Sequence, residues 1–223
     1  MLNIIIFGTG SSAQKFVEML DSTKVTILCF VDNDISKQYK KFKDRYINPP
    51  QKIQDFRYDY IVIASETSKH YEQLKYITEN VENRLILCEK PLFCKSENIL
   101  SDKNMIFVGY QLRYHPLIVK LNDLINNEKV FFCKVYCGYY LPYWRTNREL
   151  QNTYSASKER CGGVLLDLSH EIDYTTLLFG QLRDLKGYMG KISNLPIDSE
   201  DFLSIVGITD RGIYVCLTLD YIS

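Results

Sequence analysis

Near the amino end, two glycines and an alanine have a spacing that suits the binding of a phosphorylated ligand. Gly8, Gly10 and Ala13 form the pattern G-x-G-x-x-A between an apolar run and a helical stripe. In such a turn the first glycine permits the tight bend, and the second lets a diphosphate approach the backbone at the helix start. Asp32 lies about 20 residues further on, after a second apolar run, where an acidic residue binds a ribose 2′-hydroxyl.

A carboxylate at position 32 repels a 2′-phosphate, so the pattern favours NAD over NADP. The cofactor-binding residues predicted from this pattern are Gly8, Thr9, Gly10, Ser11, Ser12, Ala13 and Asp32. The alternative is a simple glycine turn followed by a solvent-exposed aspartate.

A lysine follows another apolar run, in the stretch Cys88-Glu89-Lys90-Pro91. Ligands of open α/β sheets bind outside the carboxyl ends of the strands, so a lysine there can reach a cofactor cleft. The alternative is an ordinary surface lysine that pairs with Glu89.

Acid/base residues occur in a third stretch, 162–179, which the apolar spacing predicts to be one helix. Asp167, His170 and Tyr174 stand at i, i+3 and i+7, so a continuous helix would carry them on one face. A histidine beside a carboxylate can act as a general acid/base near neutral pH. The alternative is a core histidine whose polar atoms are satisfied by the aspartate.

The predicted secondary-structure pattern around these residues changes near the middle of the chain. Short apolar runs alternate with helical stripes up to position 109, which predicts a doubly wound parallel sheet. Beyond it, a helix from Pro116 and a hairpin at 209–212 indicate an α+β domain with a mostly antiparallel sheet. We therefore expect a Rossmann domain at 1–112 and an α+β domain at 113–223.

Composition excludes several classes of protein. The 223 residues carry 27 basic and 27 acidic side chains, so no strong basic surface for nucleic acid or membrane is expected. Hydrophobic residues make up 46%, as in a globular chain. We predict a cytoplasmic protein with a small-molecule substrate and no metal, nucleic-acid or membrane partner.

Taken together, the motifs resemble those of the Gfo/Idh/MocA family of oxidoreductases. The matching pieces occur in the family's order and span most of the chain: IIIFGTGSSA, CFVD, YDYIVIASETSKH, CEKPL, VGYQLRYHP and GGVLLDLSHEIDY. The stretch YYLPYWRTNRE is similar to members found with bacterial surface-sugar biosynthesis. Here Asp167 and His170 are three residues apart, where many members have four.

The resemblance implies an NAD-dependent oxidoreductase that moves a hydride between nicotinamide and a hydroxyl carbon of a sugar, nucleotide-sugar or cyclitol. It implies catalytic roles for Lys90, Asp167 and His170. It adds Ala64, Ser65, His70, Glu89 and Lys90 to the cofactor-binding residues. Arg113, Tyr140, Trp144, Arg145 and Arg148 become candidate substrate residues, with a partly packed surface as the alternative for each.

The chain is shorter than the family's usual length, which leaves two other classes open. One is a truncated, non-catalytic remnant that binds NAD, and the other is a dinucleotide-binding regulator. We also expect the apolar run at 213–219 to be an uncovered edge strand, because the sequence ends soon after it. Such a strand predicts aggregation, or a homo-oligomer formed through the second sheet.

Overall fold

The computed structural model describes residues 1–32, 46–47, 53–54, 56–99, 101–144 and 149–223. The chain divides into two compact units, Met1–Gly109 and Tyr110–Ser223, called the first and the second unit below. Each unit has its own sheet and its own apolar cores.

The sheet of the first unit is parallel and covered on both faces. Alternate residues of its first strand enter two different cores: Ile5 and Phe7 one, Ile4 and Ile6 the other. This is why its strands are continuous apolar runs. The strand order is β3-β2-β1-β4-β5-β6. The strands are β1 (Leu2–Phe7), β2 (Val25–Val31), β3 (Tyr46–Ile47), β4 (Tyr60–Ile63), β5 (Leu85–Cys88) and β6 (Met105–Val108).

Two helices cover this sheet, one on each face. Helix α1 (Ser11–Met19) contributes Phe16 and Val17 to the core that contains Ile4. Helix α2 (Thr67–Asn80) contributes Leu74 and Ile77 to the opposite core. The doubly wound parallel sheet predicted from the sequence is confirmed, and the strand order reverses between β1 and β4, where ligands bind in such folds.

The second unit holds a mixed sheet of four strands in the order β7-β10-β9-β8. Two of its three pairings are antiparallel and β7 pairs parallel with β10. The predicted hairpin joins β9 to β10. The elements are α3 (Pro116–Ile125), β7 (Phe132–Gly138), α4 (Leu141–Trp144), α5 (Val164–Asp167), α6 (Ser169–Phe179), β8 (Leu182–Gly190), β9 (Phe202–Thr209) and β10 (Tyr214–Asp220).

The continuous helix predicted over 162–179 is wrong. The chain leaves helical geometry at Leu168, with φ −99° and ψ 22°, and two helices, α5 and α6, flank that residue. Leu168 is buried among the core residues of the second unit. The break puts Asp167 at the end of α5 and His170 and Tyr174 on α6, so the three do not stand on one continuous helix.

The predicted edge strand is also wrong. β10 lies inside the sheet, parallel to β7 on one side and antiparallel to β9 on the other. The sequence showed an apolar strand near the chain end, but β7, some 80 residues earlier, provides the missing neighbour. The edges of this sheet are β7 and β8, and the inference of an aggregation-prone edge at 213–219 falls with it.

Candidate functional site

The glycine loop of the first unit follows β1 and leads into α1. Gly8 has φ +99°, and a Cβ built there would lie 2.8 Å from the backbone of both Ala64 and Ser65. Both facts require glycine at this position. Gly10 has an extended backbone, and a Cβ there would meet nothing within 4 Å, so the space above it is open.

Asp32, at the end of β2, is tied to the same loop. The Thr9 N–H and hydroxyl both donate to Oδ2 of Asp32, at 3.0 and 2.8 Å. Thr9 itself is buried, so the contact fixes the carboxylate against the loop. A carboxylate and the start of a helix are thereby held together at the carboxyl edge of the sheet.

The start of α1 can bind an anion. Ser11 and Ser12 open the helix and are exposed, whereas Ala13 is buried against the sheet. The first N–H groups of any helix have no partner inside it and carry partial positive charge. With open space at Gly10, these residues fit the diphosphate of a dinucleotide, and Asp32 fits a ribose hydroxyl.

The loops after β4 and β5 hold the other predicted cofactor residues. The Ser65 hydroxyl donates to Gln73 at 2.6 Å. Burial raises the pKa of the Glu89 carboxyl, and the charge of the neighbouring Lys90 opposes that change. Lys90 is partly buried and lies two residues after the end of β5. His70 is buried in α2, and both of its ring nitrogens face backbone carbonyls of these two loops.

In the second unit, Asp167 is only 2% exposed and is surrounded by hydroxyl donors. Ser155 Oγ donates to it at 2.7 Å and Tyr221 Oη at 3.0 Å, and the Tyr154 hydroxyl also donates to it. Burial, together with the negative charge of Asp167, raises the pKa of Tyr221, which keeps that hydroxyl a donor. The Asp167 carboxylate is therefore buried and hydrogen-bonded within the second unit.

His170 has a different carboxylate beside it. Its Nε2 lies 3.2 Å from Oε1 of Glu171, which is buried, whereas the imidazole is 22% exposed. The Tyr174 hydroxyl donates to Glu171. Burial and the charge of Glu171 raise the pKa of the Cys137 thiol to about 11. The Asp167–His170 pair expected from the spacing is therefore replaced by a Glu171–His170 pair.

The candidate substrate residues of the second unit have partners of their own. Arg113 makes a two-pronged ion pair with Asp173: Nε donates to Oδ2 at 2.8 Å and Nη2 to Oδ1 at 2.6 Å. The Trp144 ring packs edge to face against Tyr221, with centroids 6.3 Å apart. Tyr140 packs in the same way against Tyr143, and both rings are exposed. Arg145 and Arg148 lie outside the described residues.

None of the helices in the described part of the chain has the length and apolar character needed to cross a membrane. Over the same residues, no group of three or more histidine, cysteine or acidic side chains is arranged to hold a metal ion.

Comparison with known proteins bears on both units. Residues 1–87 match a family described as C2185-like, N-terminal. Comparison of the sequence with curated proteins finds no match. Solved structures match across the whole chain at low identity.

Several of these structures are dehydrogenases, and three serve as examples. The WlbA dehydrogenase from Bordetella pertussis, in complex with NADH and UDP-GlcNAcA, has a TM-score of 0.82 at 13% identity, with 100% of this chain and 71% of that chain covered. WlbA from Chromobacterium violaceum, with the same ligands, has 0.84 at 15%, covering 100% and 68%. A myo-inositol 2-dehydrogenase from Lactobacillus plantarum has 0.77 at 15%, covering 98% and 69%.

The chain has the fold of these dehydrogenases. The resemblance to the Gfo/Idh/MocA family, drawn from six short motifs, is thereby confirmed at the level of the fold. At 13–15% identity the shared dehydrogenase fold does not carry over substrates or individual residue roles.

Sequence reasoning missed the residues that complete the two carboxylate sites of the second unit. Glu171 directly follows His170, and an acidic residue next to a histidine in the sequence was a signal that could have been used. Tyr221 lies 54 residues from Asp167 in the sequence, and no local pattern connects them.

Proposed function

We propose that this protein is an NAD-dependent oxidoreductase that transfers a hydride between nicotinamide and a hydroxyl carbon of a sugar, nucleotide-sugar or cyclitol. The observation that carries the proposal is the bond pair from Thr9 to Asp32. It joins a ribose-binding carboxylate to a glycine loop with open space at Gly10. The ligands of the WlbA dehydrogenases, NADH and UDP-GlcNAcA, support the nucleotide-sugar class.

The cofactor supplies the hydride acceptor or donor, and the chain supplies binding and proton transfer. The backbone around Gly10 and the start of α1 bind the diphosphate. The Asp32 carboxylate accepts a hydrogen bond from the ribose and repels a 2′-phosphate, which favours NAD over NADP. Ala64, Ser65 and Glu89 line the same edge of the sheet, after β4 and β5.

Proton transfer is assigned to Lys90 and His170. The resemblance gives Lys90 contact with the reacting hydroxyl, and its place two residues after the end of β5 supports this. His170 is partly exposed and has a buried carboxylate beside it, a setting that orients an imidazole for acid/base work. Because Asp167 already accepts from three hydroxyls, we assign it a positioning role and not substrate contact.

The aromatic side chains after β7 support a flat, partly apolar ligand. Tyr140 and Trp144 are both partly exposed, and such rings stack on a pyranose or a base. Arg113 keeps its guanidinium on Asp173 of α6, so we propose that it does not bind an anion alone.

Cofactor titration is the first test. NADH and NADPH are titrated with nicotinamide fluorescence as the readout, and NADH is expected to bind at least tenfold more tightly. Equal or tighter NADPH binding contradicts the assignment of Asp32.

Turnover is then measured with a panel of UDP-sugar acids, free sugars and cyclitols. Tight NADH binding with no turnover on any of them would favour a non-catalytic dinucleotide-binding protein.

We also propose that the protein forms a homo-oligomer through the outer face of the second sheet. Large apolar side chains stand exposed on that face from all four strands: Phe132, Tyr136, Tyr188, Val206 and Tyr214. Contiguous exposed apolar surface marks an association site. Light scattering on the wild type and on Val206→Lys tests this. A monomer in both would contradict the proposal.

A further inference from the structure

His70 lies inside the first unit with acceptors around both ring nitrogens. The residue is 1% exposed. Its Nδ1 is 3.1 Å from the carbonyl oxygen of Pro91 and 3.2 Å from that of Leu92, and its Nε2 is 3.3 Å from that of Ser65. Ser65 follows β4, whereas Pro91 and Leu92 directly follow Lys90.

The protons on this ring decide which contacts are hydrogen bonds. A neutral imidazole has one N–H, and only the cation can donate from both nitrogens. Burial lowers the pKa of His70, which favours the neutral ring near pH 7. The two shorter contacts are on Nδ1, so we assign the proton of the neutral ring to Nδ1, which then donates to Pro91 and Leu92. In this tautomer Nε2 carries no proton and only faces the Ser65 carbonyl, and the burial of the residue leaves the ring little surface for a cofactor.

We propose that His70 is a positioning residue that fixes the segment carrying Lys90 to the body of the first unit. The histidine sits on the regular helix α2, and the lysine segment is a loop. A donor on a rigid helix that binds two successive carbonyls restrains the backbone immediately after Lys90. The proposal rests on the proposed function only in naming Lys90 as the proton carrier; the restraint itself does not depend on it.

Three variants separate the two sides of the ring. His70→Asn keeps an N–H donor near the position of Nδ1, whereas His70→Gln places its donor near that of Nε2. His70→Leu removes both. Losing one neutral hydrogen bond of about 1 kcal/mol corresponds to about a fivefold change in an opening equilibrium.

Amide hydrogen exchange, read by mass spectrometry on the full chain without cofactor, measures the restraint. In peptides covering 89–93, exchange should rise about fivefold or more in His70→Gln and His70→Leu and stay near wild type in His70→Asn. Exchange in β1, Leu2–Phe7, serves as the control for global loss of stability. If His70→Leu does not fold, the Asn and Gln variants still decide the matter.

NADH affinity gives a second, independent readout. It should stay within about threefold of wild type in the Asn and Gln variants, since the ring is buried and its N–H is used within the protein. With an active substrate, kcat should fall in His70→Gln while the KM for NAD stays unchanged, and His70→Asn should restore kcat.

Two results would overturn the proposal. One is equal exchange at 89–93 in His70→Asn and His70→Gln. The other is a tenfold loss of NADH affinity in the Asn and Gln variants with exchange at 89–93 unchanged, which would make His70 a cofactor ligand. A wild-type chain that neither binds NADH nor turns over would refute the proposed function and leave the exchange result to decide the restraint.

Discussion

The glycine loop of the first unit and the α5–α6 segment of the second differ in the kind of chemical group that each presents. In the loop, the working groups are backbone N–H groups and one carboxylate, and a single residue, Thr9, connects them. In the α5–α6 segment, the working groups are side chains, and their partners come from a loop, a strand end and the next residue. A loop of the first kind tolerates few backbone changes, whereas a site of the second kind depends on distant packing.

The sharpest test of the backbone site is a pair of glycine substitutions. Gly8→Ala forces a side chain into positive φ and against backbone at 2.8 Å, and should lower the free energy of unfolding of the first unit by about 3 kcal/mol or more. Gly10→Ala meets nothing in the protein, so it should leave stability unchanged and weaken NADH binding at least tenfold. Thermal melting and fluorescence titration of both variants check this. Unchanged NADH affinity in Gly10→Ala would show that the diphosphate does not bind at this loop.

Substitutions in the α5–α6 segment should change the stability of the second unit more than they change ligand binding. Asp167→Ala removes the shared acceptor of three hydroxyls, two on buried residues and that of the partly buried Tyr154, and should cost about 3 kcal/mol of stability in the second unit. His170→Ala, on a partly exposed ring, should cost less than about 1 kcal/mol. Trp144 is the single tryptophan and packs on Tyr221, so urea unfolding followed by its fluorescence reports on this unit. Equal losses in both variants would show that His170 is the core residue.

The carboxylate at the end of β2 gives a smaller, ligand-specific effect. Asp32→Ala removes the acceptor for Thr9 and for the ribose, and should weaken NADH binding by about 1.5–3 kcal/mol while relaxing the preference over NADPH. Asp59→Ala is the matched control, because Asp59 accepts from Asn3 N–H at the amino end of β4. A similar loss in the two variants would mean that Asp32 acts on the fold and not on the cofactor.

The smallest effect is a pH dependence of the first unit. Burial lowers the folded-state pKa of His70 below the ordinary value of 6.5, so the unfolded chain binds this proton more readily. The contribution of His70 to stability is therefore complete above pH 6.5 and is lost as pH falls below it, with a slope of at most about 1.4 kcal/mol per pH unit. Urea melts between pH 7.5 and 5 on wild type and His70→Asn measure it, with His115→Gln, at an exposed histidine, as control. Parallel curves for wild type and His70→Asn would refute the shift.

The second sheet shows that the position of a strand in the sequence does not predict its position in the sheet. The run at 213–219 has the composition of a covered strand, and that much is correct. Its place in the sheet depends on pairing with β7, whose register joins Tyr214 to Phe132. Strand order is a property of long-range pairing, which a local apolar pattern does not contain.

Local sequence patterns were enough to predict the parallel sheet, its two covered faces, the glycine loop and the position of Asp32 after β2. Those features depend on spacing over a few residues, on apolar runs and on glycine, the residue type that adopts positive φ most readily. Three-dimensional packing, by contrast, set the partners of Asp167, the Glu171–His170 contact and the carbonyls around His70. Each of these depends on where a buried polar group finds an acceptor or donor, and at Asp167 the deciding hydroxyl, that of Tyr221, comes from the far end of the second unit.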